Sequence, residues 1–371
     1  MKRIVLACGG TGGHFYPGYA LACALRTRGW EPLFILRKED PAIPTLEADG
    51  FPYVELDLRG LSRTPGLGWA FFGFKLLSSL RIARNIMRSF DPRCVVGMGG
   101  YLTFPIVAAA RWKRIPSLIH ESNAVLGLAN RACLPFASKV ALGLPISGIA
   151  HGPGKRYELA GTPVRTELQN LPAPQEARRA LGLDPALRTI LIFGGSQGAR
   201  SINRAAPEAA GALGARRPDW QILHLSGTGE EEAVKEAYKK TAIRAVVKPT
   251  LRGMHQAYAA ADLVVCRAGA STLAELCATR RPAILVPYPA AAADHQEANA
   301  LILARAGAAR LILDKDLSAP ALANELEDLI FSPQVLEKMA GRYESLGLPA
   351  PAEALSALVR AVESLGSSRR P

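Results

Sequence analysis

Residues 4–14 read IVLACGGTGGH, an apolar run that passes directly into a cluster of four glycines and a histidine. Five consecutive apolar residues are typical of a strand buried on both faces, as in a parallel sheet. A second stretch has the same form, because residues 189–200 read TILIFGGSQGAR. Two such transitions, one in each half of the chain, indicate that the same kind of fold is built twice.

Short apolar runs alternate with amphipathic helical patterns through both halves. In the first half the predicted strands are residues 4–8, 32–36, 52–56, 94–96, 117–119 and 139–142. In the second half they are residues 189–193, 220–225, 243–247, 263–266, 283–286 and 309–313. Pro17 predicts a helix over residues 17–28 that begins with this proline. The alternation predicts two doubly wound, Rossmann-like α/β domains with a cleft between them.

Length and composition are those of a globular protein. The chain has 371 residues, of which 49% are hydrophobic and 21% charged, which excludes disordered and collagen-like classes and predicts two or three domains. Six scattered cysteines without a Cys-x-x-Cys pair predict free thiols in a reducing cytosol. The start lacks the apolar core of a signal peptide. The longest apolar candidate, residues 128–150, contains Arg131 and Lys139, so no spanning helix is expected.

Basic residues are concentrated in the first half. Residues 1–162 hold 20 Lys/Arg against 10 Asp/Glu, whereas residues 163–371 hold 25 against 22. This excess predicts an anionic partner. Aromatic and cationic side chains without a spanning helix favour an anionic membrane surface, and nucleic acid is not expected because no recognised module is present. The candidate membrane residues are Trp69, Phe72, Leu76, Arg81, Arg84 and Trp112. The alternative is that the apolar side packs into the core while the arginines are solvated.

Three predicted strands run directly into glycine clusters, which lie at residues 9–14, 97–101 and 194–200. Glycine lets backbone N–H groups approach a ligand, and the N-terminus of the next helix favours an anion. The predicted ligand is therefore phosphate or pyrophosphate. Phe15 stands where a dinucleotide fingerprint needs its third glycine, and no ATP-type P-loop occurs. The third cluster also fits Gly-x-Ser-x-Gly, so a hydrolase triad of Ser196, Asp262 and His295 is a minor alternative.

Polar side chains at strand-to-helix transitions are candidates for chemistry. His14 could take a proton from a hydroxyl near a bound phosphate. Glu275 lies one helical turn past Ser271, and a carboxylate there suits a pair of ribose hydroxyls. His295 and Gln296 could contact sugar hydroxyls.

No metal site is predicted. The pair His120-Glu121 lacks the second histidine of a zinc motif, and helix capping is the alternative interpretation of residues 120–123. Residues 314–316 read Asp-Lys-Asp, a spacing that could bind a divalent metal, but we interpret them as an ordinary turn.

Taken in order, these motifs resemble those of the MurG family, the bacterial peptidoglycan N-acetylglucosaminyltransferases. The matching segments are residues 9–14, 97–101, 120–123, 161–165, 194–200 and 267–275, and the resemblance covers essentially the whole chain. It implies the GT-B fold of glycosyltransferase family 28. Residues 1–162 would hold lipid I and associate with the membrane, and residues 163–345 would hold UDP-N-acetylglucosamine. The last helix, residues 346–371, would pack back on the first domain.

The resemblance also implies an activity that serves cell-wall synthesis, cell shape and cell division. An inverting transfer to the C4 hydroxyl of N-acetylmuramic acid in lipid I would give lipid II at the cytoplasmic face of the inner membrane. The enzyme would be peripheral, would require no cofactor, and would have other cell-wall synthesis proteins as candidate partners.

By the same resemblance, His14 and Glu121 would be catalytic. Acceptor contacts would come from Gly99, Gly100, Tyr101 and His120. Donor contacts would come from Thr11, Gly12, Gly13, Asn123, Arg165, Ser196, Gln197, Gly198, Arg267, Ser271, Glu275, His295 and Gln296. The first glycine loop also resembles the side that faces the acceptor pyrophosphate.

Two other functions stay open. A UDP-N-acetylglucosamine 2-epimerase of similar architecture would need no lipid acceptor and would leave the apolar basic segment unexplained. A non-catalytic binder of a nucleotide sugar or nucleic acid would bind without any transfer.

Overall fold

The computed structural model describes residues 2–9, 12–58, 67–152, 154–195, 198–214, 219–291 and 294–368. The chain divides into two compact units. The first unit is Met1–Arg165 together with Leu348–Pro371, and the second unit is Thr166–Gly347.

The first unit contains seven strands and six helices among the described residues. The strands are β1 Lys2–Ala7, β2 Trp30–Arg37, β3 Tyr53–Leu56, β4 Cys94–Gly97, β5 Ser117–Glu121, β6 Lys139–Leu142 and β7 Tyr157–Leu159. The helices are α1 Gly12–Arg26, α2 Ile43–Ala48, α3 Leu67–Ser89, α4 Thr103–Trp112, α5 Leu128–Cys133 and, at the end of the chain, α14 Pro351–Ser368. The strands form one parallel sheet in the order β3-β2-β1-β4-β5-β6-β7.

The second unit repeats this design. Its strands are β8 Arg188–Phe193, β9 Trp220–Leu225, β10 Arg244–Lys248, β11 Leu263–Cys266, β12 Ala283–Leu285 and β13 Ala309–Leu311. Its helices are α6 Pro174–Ala180, α7 Arg200–Gly214, α8 Glu231–Lys239, α9 Met254–Ala260, α10 Ala270–Thr279, α11 His295–Ala306, α12 Ala319–Ile330 and α13 Pro333–Gly341. The parallel order is β10-β9-β8-β11-β12-β13.

Each sheet has one point where the strand order reverses. It lies between β1 and β4 in the first sheet and between β8 and β11 in the second. The paired strands end level with each other, because Ala7 pairs with Gly97 and Phe193 pairs with Cys266. Connections on the two sides of such a point diverge and leave a crevice at the carboxyl ends of the strands, where ligands of this fold class bind. The three predicted glycine clusters follow β1, β4 and β8.

The twelve predicted strands are confirmed, with small differences at their ends. The short edge strand β7 was missed because three partly buried residues give no periodic pattern. The predicted start of the first helix was wrong. It begins at Gly12, and Pro17 lies inside it. Inside a helix, proline cannot make the hydrogen bond that residue 17 would donate to the Gly13 carbonyl.

The last helix, α14, belongs to the core of the first unit. Its buried residues Leu358 and Val362 join the cluster that includes Ile4 and Leu6 of β1. Near its end, a Cβ on Gly366 would come within 2.5 Å of the Trp30 ring. The first fold unit therefore needs both ends of the chain.

Replacing Leu358 by alanine should lower the free energy of unfolding by about 2–5 kcal/mol, because it leaves a cavity in this core. Arg360→Ala, on the exposed side of the same helix, is the matched control and should change it little. Urea denaturation of the full chain measures both. Equal effects of the two variants would contradict the packing described for α14.

Candidate functional site

The first reversal point brings the loops after β1 and β4 into contact through His14. This histidine lies in the first turn of α1, and its ring packs on the backbone of Gly99 and Gly100. A Cβ at Gly99 would lie 2.8 Å from His14 Cε1, and one at Gly100 would lie 3.4 Å from Cδ2. Both glycines also have positive φ, +99° and +75°, which other residues rarely adopt. The two glycines therefore make room for the imidazole.

His120 was predicted to contact the acceptor, but the structure buries it completely at the end of β5. Its Nε2–H donates to the Gly161 carbonyl at 2.9 Å, and the Ser122 hydroxyl donates to Nδ1 at 3.2 Å. The carbonyl can only accept, so Nε2 carries the proton. Burial lowers the pKa of His120. A neutral imidazole with both nitrogens hydrogen-bonded holds the loop after β5 in place, and its contact with an acceptor stays a prediction.

Glu121, predicted to be catalytic, has hydrogen-bond partners within its own loop. Its carboxylate is buried and accepts four hydrogen bonds. Oε1 accepts from the backbone N–H and the side-chain amide of Asn123, both at 3.0 Å. Oε2 accepts from the Gly127 N–H and the Asn130 amide, both at 2.9 Å. A carboxylate used in this way orders residues 122–127, and its catalytic role stays a prediction.

Other predicted residues of the first unit lie around the same edge of the sheet. The Arg165 guanidinium lies 4.4 Å from the ring centroid of Tyr16, a solvent-accessible residue in the second turn of α1. Gly12 is exposed, whereas Gly13 and Tyr101 are half-buried. Thr11 lies outside the described residues.

In the second unit, the loop after β8 is packed tightly against its surroundings. A Cβ at Gly198, whose φ is +74°, would lie 2.1 Å from the carbonyl oxygen of Ser226. A Cβ at Gly194 would lie 2.3 Å from the Cβ of Ala199. Only glycine fits either position, so the loop follows the end of β9 closely. Ser196 and Gln197 are outside the described residues.

A buried polar network that sequence reasoning missed lies beneath this loop. Asn203 of α7 donates through Nδ2 to the Ser226 carbonyl at 2.8 Å, so its Oδ1 accepts from His224 Nε2 at 3.0 Å. The Tyr238 hydroxyl donates to His224 Nδ1 at 3.0 Å. Burial lowers the pKa of His224 to about 3. A neutral histidine thus connects the helix after the glycine loop to β9 and α8.

Arg267, predicted to contact the donor, makes several hydrogen bonds within the second unit. One amino group, Nη1, donates to the carbonyls of Val286 and Pro287, both at 3.2 Å, and to the Asp314 carboxylate. The other, Nη2, donates to the Ser201 hydroxyl at 2.9 Å, and this hydroxyl donates to Asp314 at 2.6 Å. The guanidinium joins α7 to the ends of β11 and β12. Asp314, interpreted as part of an ordinary turn, is its partner.

Glu275 lies on α10, where it is half-buried. The hydroxyl of fully buried Tyr258 donates to its Oε2 at 2.9 Å. Ser271, the second residue of the same helix, is half-buried one turn away. The N-terminus of this helix favours an anion, and the predicted contacts of Ser271 with a phosphate and of Glu275 with a ribose stay predictions.

Gln296 and Asn299 of α11 bind the backbone that follows β11. The Gln296 Oε1 accepts from the N–H groups of Ala268 and Tyr288, at 3.2 and 3.0 Å. The Asn299 side chain donates to the Ala268 carbonyl at 3.0 Å. Of the Gln296 amide, the Nε2 group is therefore the one that could contact a sugar. His295 is half-buried at the first position of the helix.

The hydrolase triad is ruled out by the position of Asp262. This residue precedes β11, at the amino end of the strand, whereas His295 begins the helix that follows the carboxyl end of β12. Its carboxylate accepts from Arg178 and from the Thr189 N–H, both at 2.7 Å. No group of three or more His, Cys, Asp or Glu residues that could hold a metal occurs within the described residues.

The exposed apolar face of α3 differs from the predicted one. Phe72 and Leu76 are partly buried and pack against the core, because they lie on the side that faces the sheet. Phe71, Phe74 and Leu77 are 67%, 72% and 64% exposed instead.

Two further members of the predicted membrane group, Arg84 of α3 and Trp112 at the end of α4, lie in contact. Exposed Trp112 of α4 lies under the Arg84 guanidinium, at 5.2 Å, and Arg81 is exposed. The side chain of Trp69 is outside the described set. In the part of the chain that is described, no helix has the length and apolar character needed to cross a membrane.

Comparisons with known proteins match both units. The glycosyltransferase family 28 N-terminal domain matches residues 4–142, and the family's C-terminal domain matches residues 189–349. A protein of Elusimicrobium minutum (strain Pei191) is 40% identical over 370 residues, which cover 98% of this chain and all of the relative. A Thermodesulfovibrio yellowstonii protein is 38% identical over 352 residues, 94% of this chain and 95% of its own length. Both are named UDP-N-acetylglucosamine--N-acetylmuramyl-(pentapeptide) pyrophosphoryl-undecaprenol N-acetylglucosamine transferase.

Solved structures agree with this result. The crystal structure of Acinetobacter baumannii MurG matches with a TM-score of 0.80 and 29% identity, covering 98% of this chain and 100% of that one. A UDP-GlcNAc 2-epimerase from Neisseria meningitidis matches with a TM-score of 0.67 and 13% identity over 98% of this chain and 100% of that one. At that identity the likeness extends to the fold alone.

The buried His224 should make stability depend on pH. Below its ordinary pKa of 6.5, the unfolded chain protonates this imidazole while the folded chain, with a pKa of about 3, does not. The free energy of unfolding should therefore decrease as the pH falls from about 6.5 toward 3, by up to about 1.4 kcal/mol per pH unit from this group.

Urea denaturation between pH 7 and pH 4 measures this dependence. His224→Gln should reduce the slope of the free energy of unfolding against pH by the amount that His224 contributes. Tyr238→Phe keeps the imidazole buried and should retain the slope. A His224→Gln curve parallel to that of the wild type would contradict the assignment.

Proposed function

The chain belongs to glycosyltransferase family 28, and we propose that it transfers N-acetylglucosamine from UDP-N-acetylglucosamine to the C4 hydroxyl of N-acetylmuramic acid in lipid I. The protein is a hexosyltransferase of peptidoglycan synthesis with a two-domain α/β fold of the GT-B type. The observation that carries this function is full-length identity of about 40% to a relative named for the same transfer, with both family domains matched in order. The product is lipid II, with a β-1,4 linkage.

In this proposal the first unit holds the acceptor, and His14 is the general base. Its imidazole, fixed against Gly99 and Gly100, takes the proton of the C4 hydroxyl as the oxygen attacks the anomeric carbon of the donor sugar. The bond from that carbon to the UDP oxygen breaks, and the configuration inverts without a covalent intermediate. Acceptor pyrophosphate would lie at the glycine loops after β1 and β4. In the second of these loops, the positive φ of Gly99 and Gly100 would turn backbone groups toward a ligand.

The second unit holds the donor in this proposal. The diphosphate would lie at the tight loop after β8 and at the N-terminus of α10, and its growing negative charge would be stabilised by their N–H groups. Glu275 would accept hydrogen bonds from the ribose, and the Gln296 amide would contact the sugar. Arg165 would add a positive charge near the diphosphate. No cofactor is needed for these steps.

We infer further that the enzyme is peripheral to the cytoplasmic face of the inner membrane. Phe71, Phe74 and Leu77 expose three apolar side chains on one face of α3, and exposed arginines lie farther along the same helix at positions 81, 84 and 88. An apolar face beside cationic side chains suits an anionic lipid surface, where a lipid-linked acceptor is held. An epimerase would have no use for such a face.

The proposed reaction is tested by incubating the enzyme with UDP-N-acetylglucosamine and a lipid I analogue. We expect one UDP per disaccharide formed, and no change in the donor when the acceptor is omitted. Conversion of donor alone into the N-acetylmannosamine isomer would identify an epimerase. Donor binding without either product would identify a binding protein.

Replacing His14 by alanine should lower kcat by about 10²–10⁴-fold, the usual contribution of a general base, and leave the KM for the donor unchanged. Gly99→Ala should act in the same direction, because its methyl group would displace the imidazole. Gly341→Ala is the control, since nothing lies within 4 Å of its added Cβ. Steady-state kinetics separate kcat from KM, and a His14→Ala enzyme with near-normal kcat would remove His14 from this role.

Replacing Phe71, Phe74 and Leu77 together by serine should reduce binding to vesicles containing anionic phospholipid, by about tenfold or more per side chain. Val335→Ser, which removes an exposed apolar side chain in the second unit, should leave it unchanged. Flotation with vesicles measures both variants. Undiminished flotation of the triple variant would refute the membrane face, while transfer to a water-soluble acceptor analogue should persist in either case.

A further inference from the structure

Tyr258 connects two parts of the proposed donor site from beneath. It lies on α9 and is fully buried. Its ring meets the ring of Phe193 edge to face, with centroids 6.1 Å apart at 89°. Phe193 is the last residue of β8 and precedes the glycine loop. The hydroxyl of Tyr258 donates to Glu275 Oε2 at 2.9 Å, so one side chain contacts both the base of the loop and the carboxylate on α10.

This phenol is well suited to hold a carboxylate in one orientation. Burial, and then the negative charge of Glu275, raise the pKa of Tyr258 well above its ordinary value of 10, so the hydroxyl stays a donor. A buried hydroxyl needs a partner, and the rigid ring on α9 leaves the bond little freedom. An ionised carboxylate accepts at about four lone-pair positions, so a bond from Tyr258 fixes its plane and still permits bonds from ligand hydroxyls.

We propose that Tyr258 is a positioning residue that orients the Glu275 carboxylate toward the ribose hydroxyls of the donor and thereby gives the enzyme its preference for ribonucleotide over deoxyribonucleotide sugars. The inference rests on the proposed function, because it takes Glu275 as the ribose contact. When a deoxy donor binds, a carboxylate held in one orientation loses its hydroxyl partner, so the affinity for that donor falls strongly. A carboxylate that can rotate forms a hydrogen bond with water instead, so the affinity falls less.

The test compares UDP-N-acetylglucosamine with its 2′-deoxy and 3′-deoxy analogues in the wild-type enzyme, Tyr258→Phe, Glu275→Gln and the double variant. Tyr258→Phe removes only one oxygen and retains the ring packed on Phe193. It should raise the KM for the natural donor about tenfold or more, the usual effect of losing one hydrogen bond to a charged group. The kcat should stay unchanged, and the preference for the ribose donor over at least one deoxy analogue should fall by a similar factor.

The control is Tyr343→Phe. That phenol is also buried in the second unit and donates to the backbone carbonyl of Arg281 at 2.7 Å. Its loss should leave the preference for ribose unchanged. Titration calorimetry with UDP and the two deoxy-UDP analogues gives the same comparison without acceptor or turnover. It can be carried out at low temperature, where a variant of reduced stability stays folded.

Each outcome decides the inference. If Tyr258→Phe lowers the ribose preference and adds nothing to Glu275→Gln in the double variant, Tyr258 acts through Glu275. A wild-type preference in Tyr258→Phe, or independent losses in the double variant, would overturn the inference while leaving the donor site intact. An unchanged preference in Glu275→Gln would also remove Glu275 from the donor site. Absence of transfer by the wild-type enzyme would instead reject the proposed activity.

Discussion

The close approach of loops at the two reversal points is the constraint on which the rest of the structure depends. In each sheet, two adjacent strands end level with each other and their connections leave in opposite directions. At the first reversal point, a methyl group added to Gly99 would collide with the His14 ring. In the second sheet, a methyl group added to Gly198 after β8 would collide with the Ser226 carbonyl after the neighbouring strand β9. The glycines thus make room for an imidazole in the first unit and allow tight loop packing in the second. Both places lie at the carboxyl ends of the strands, where this fold class binds ligands.

Buried polar networks hold these loops in place. Glu121 accepts four hydrogen bonds from residues 123–130. Asn203 and His224 hold the helix that follows the loop after β8. Arg267 and Asp314 join three further segments of the second unit. Breaking one member of such a network leaves a buried polar group without its bond, which is costly. These residues therefore hold the loops around the candidate site in place.

Much of this architecture could be predicted from the amino-acid sequence, because apolar runs locate buried parallel strands and glycine clusters locate their ends. The orientation of individual side chains could not. Helix α3 is apolar on several sides, so the pattern alone did not show that Phe72 packs inward and Phe71 outward. Residues 120–123 carry the right groups for catalysis, yet the fold directs His120 and Glu121 into internal hydrogen bonds. Tyr258 gave no signal, because an isolated tyrosine in an apolar helix does not reveal its distant partner.

The central claim is that the reversal point of the second sheet holds the nucleotide while that of the first holds the acceptor and the base. A crystal structure of the chain with bound UDP tests it most directly. The account predicts the diphosphate at the loop after β8 and the N-terminus of α10, with the ribose hydroxyls on Glu275. UDP bound only at the glycine loops of the first unit, with the carboxyl edge of the second sheet empty, would contradict it.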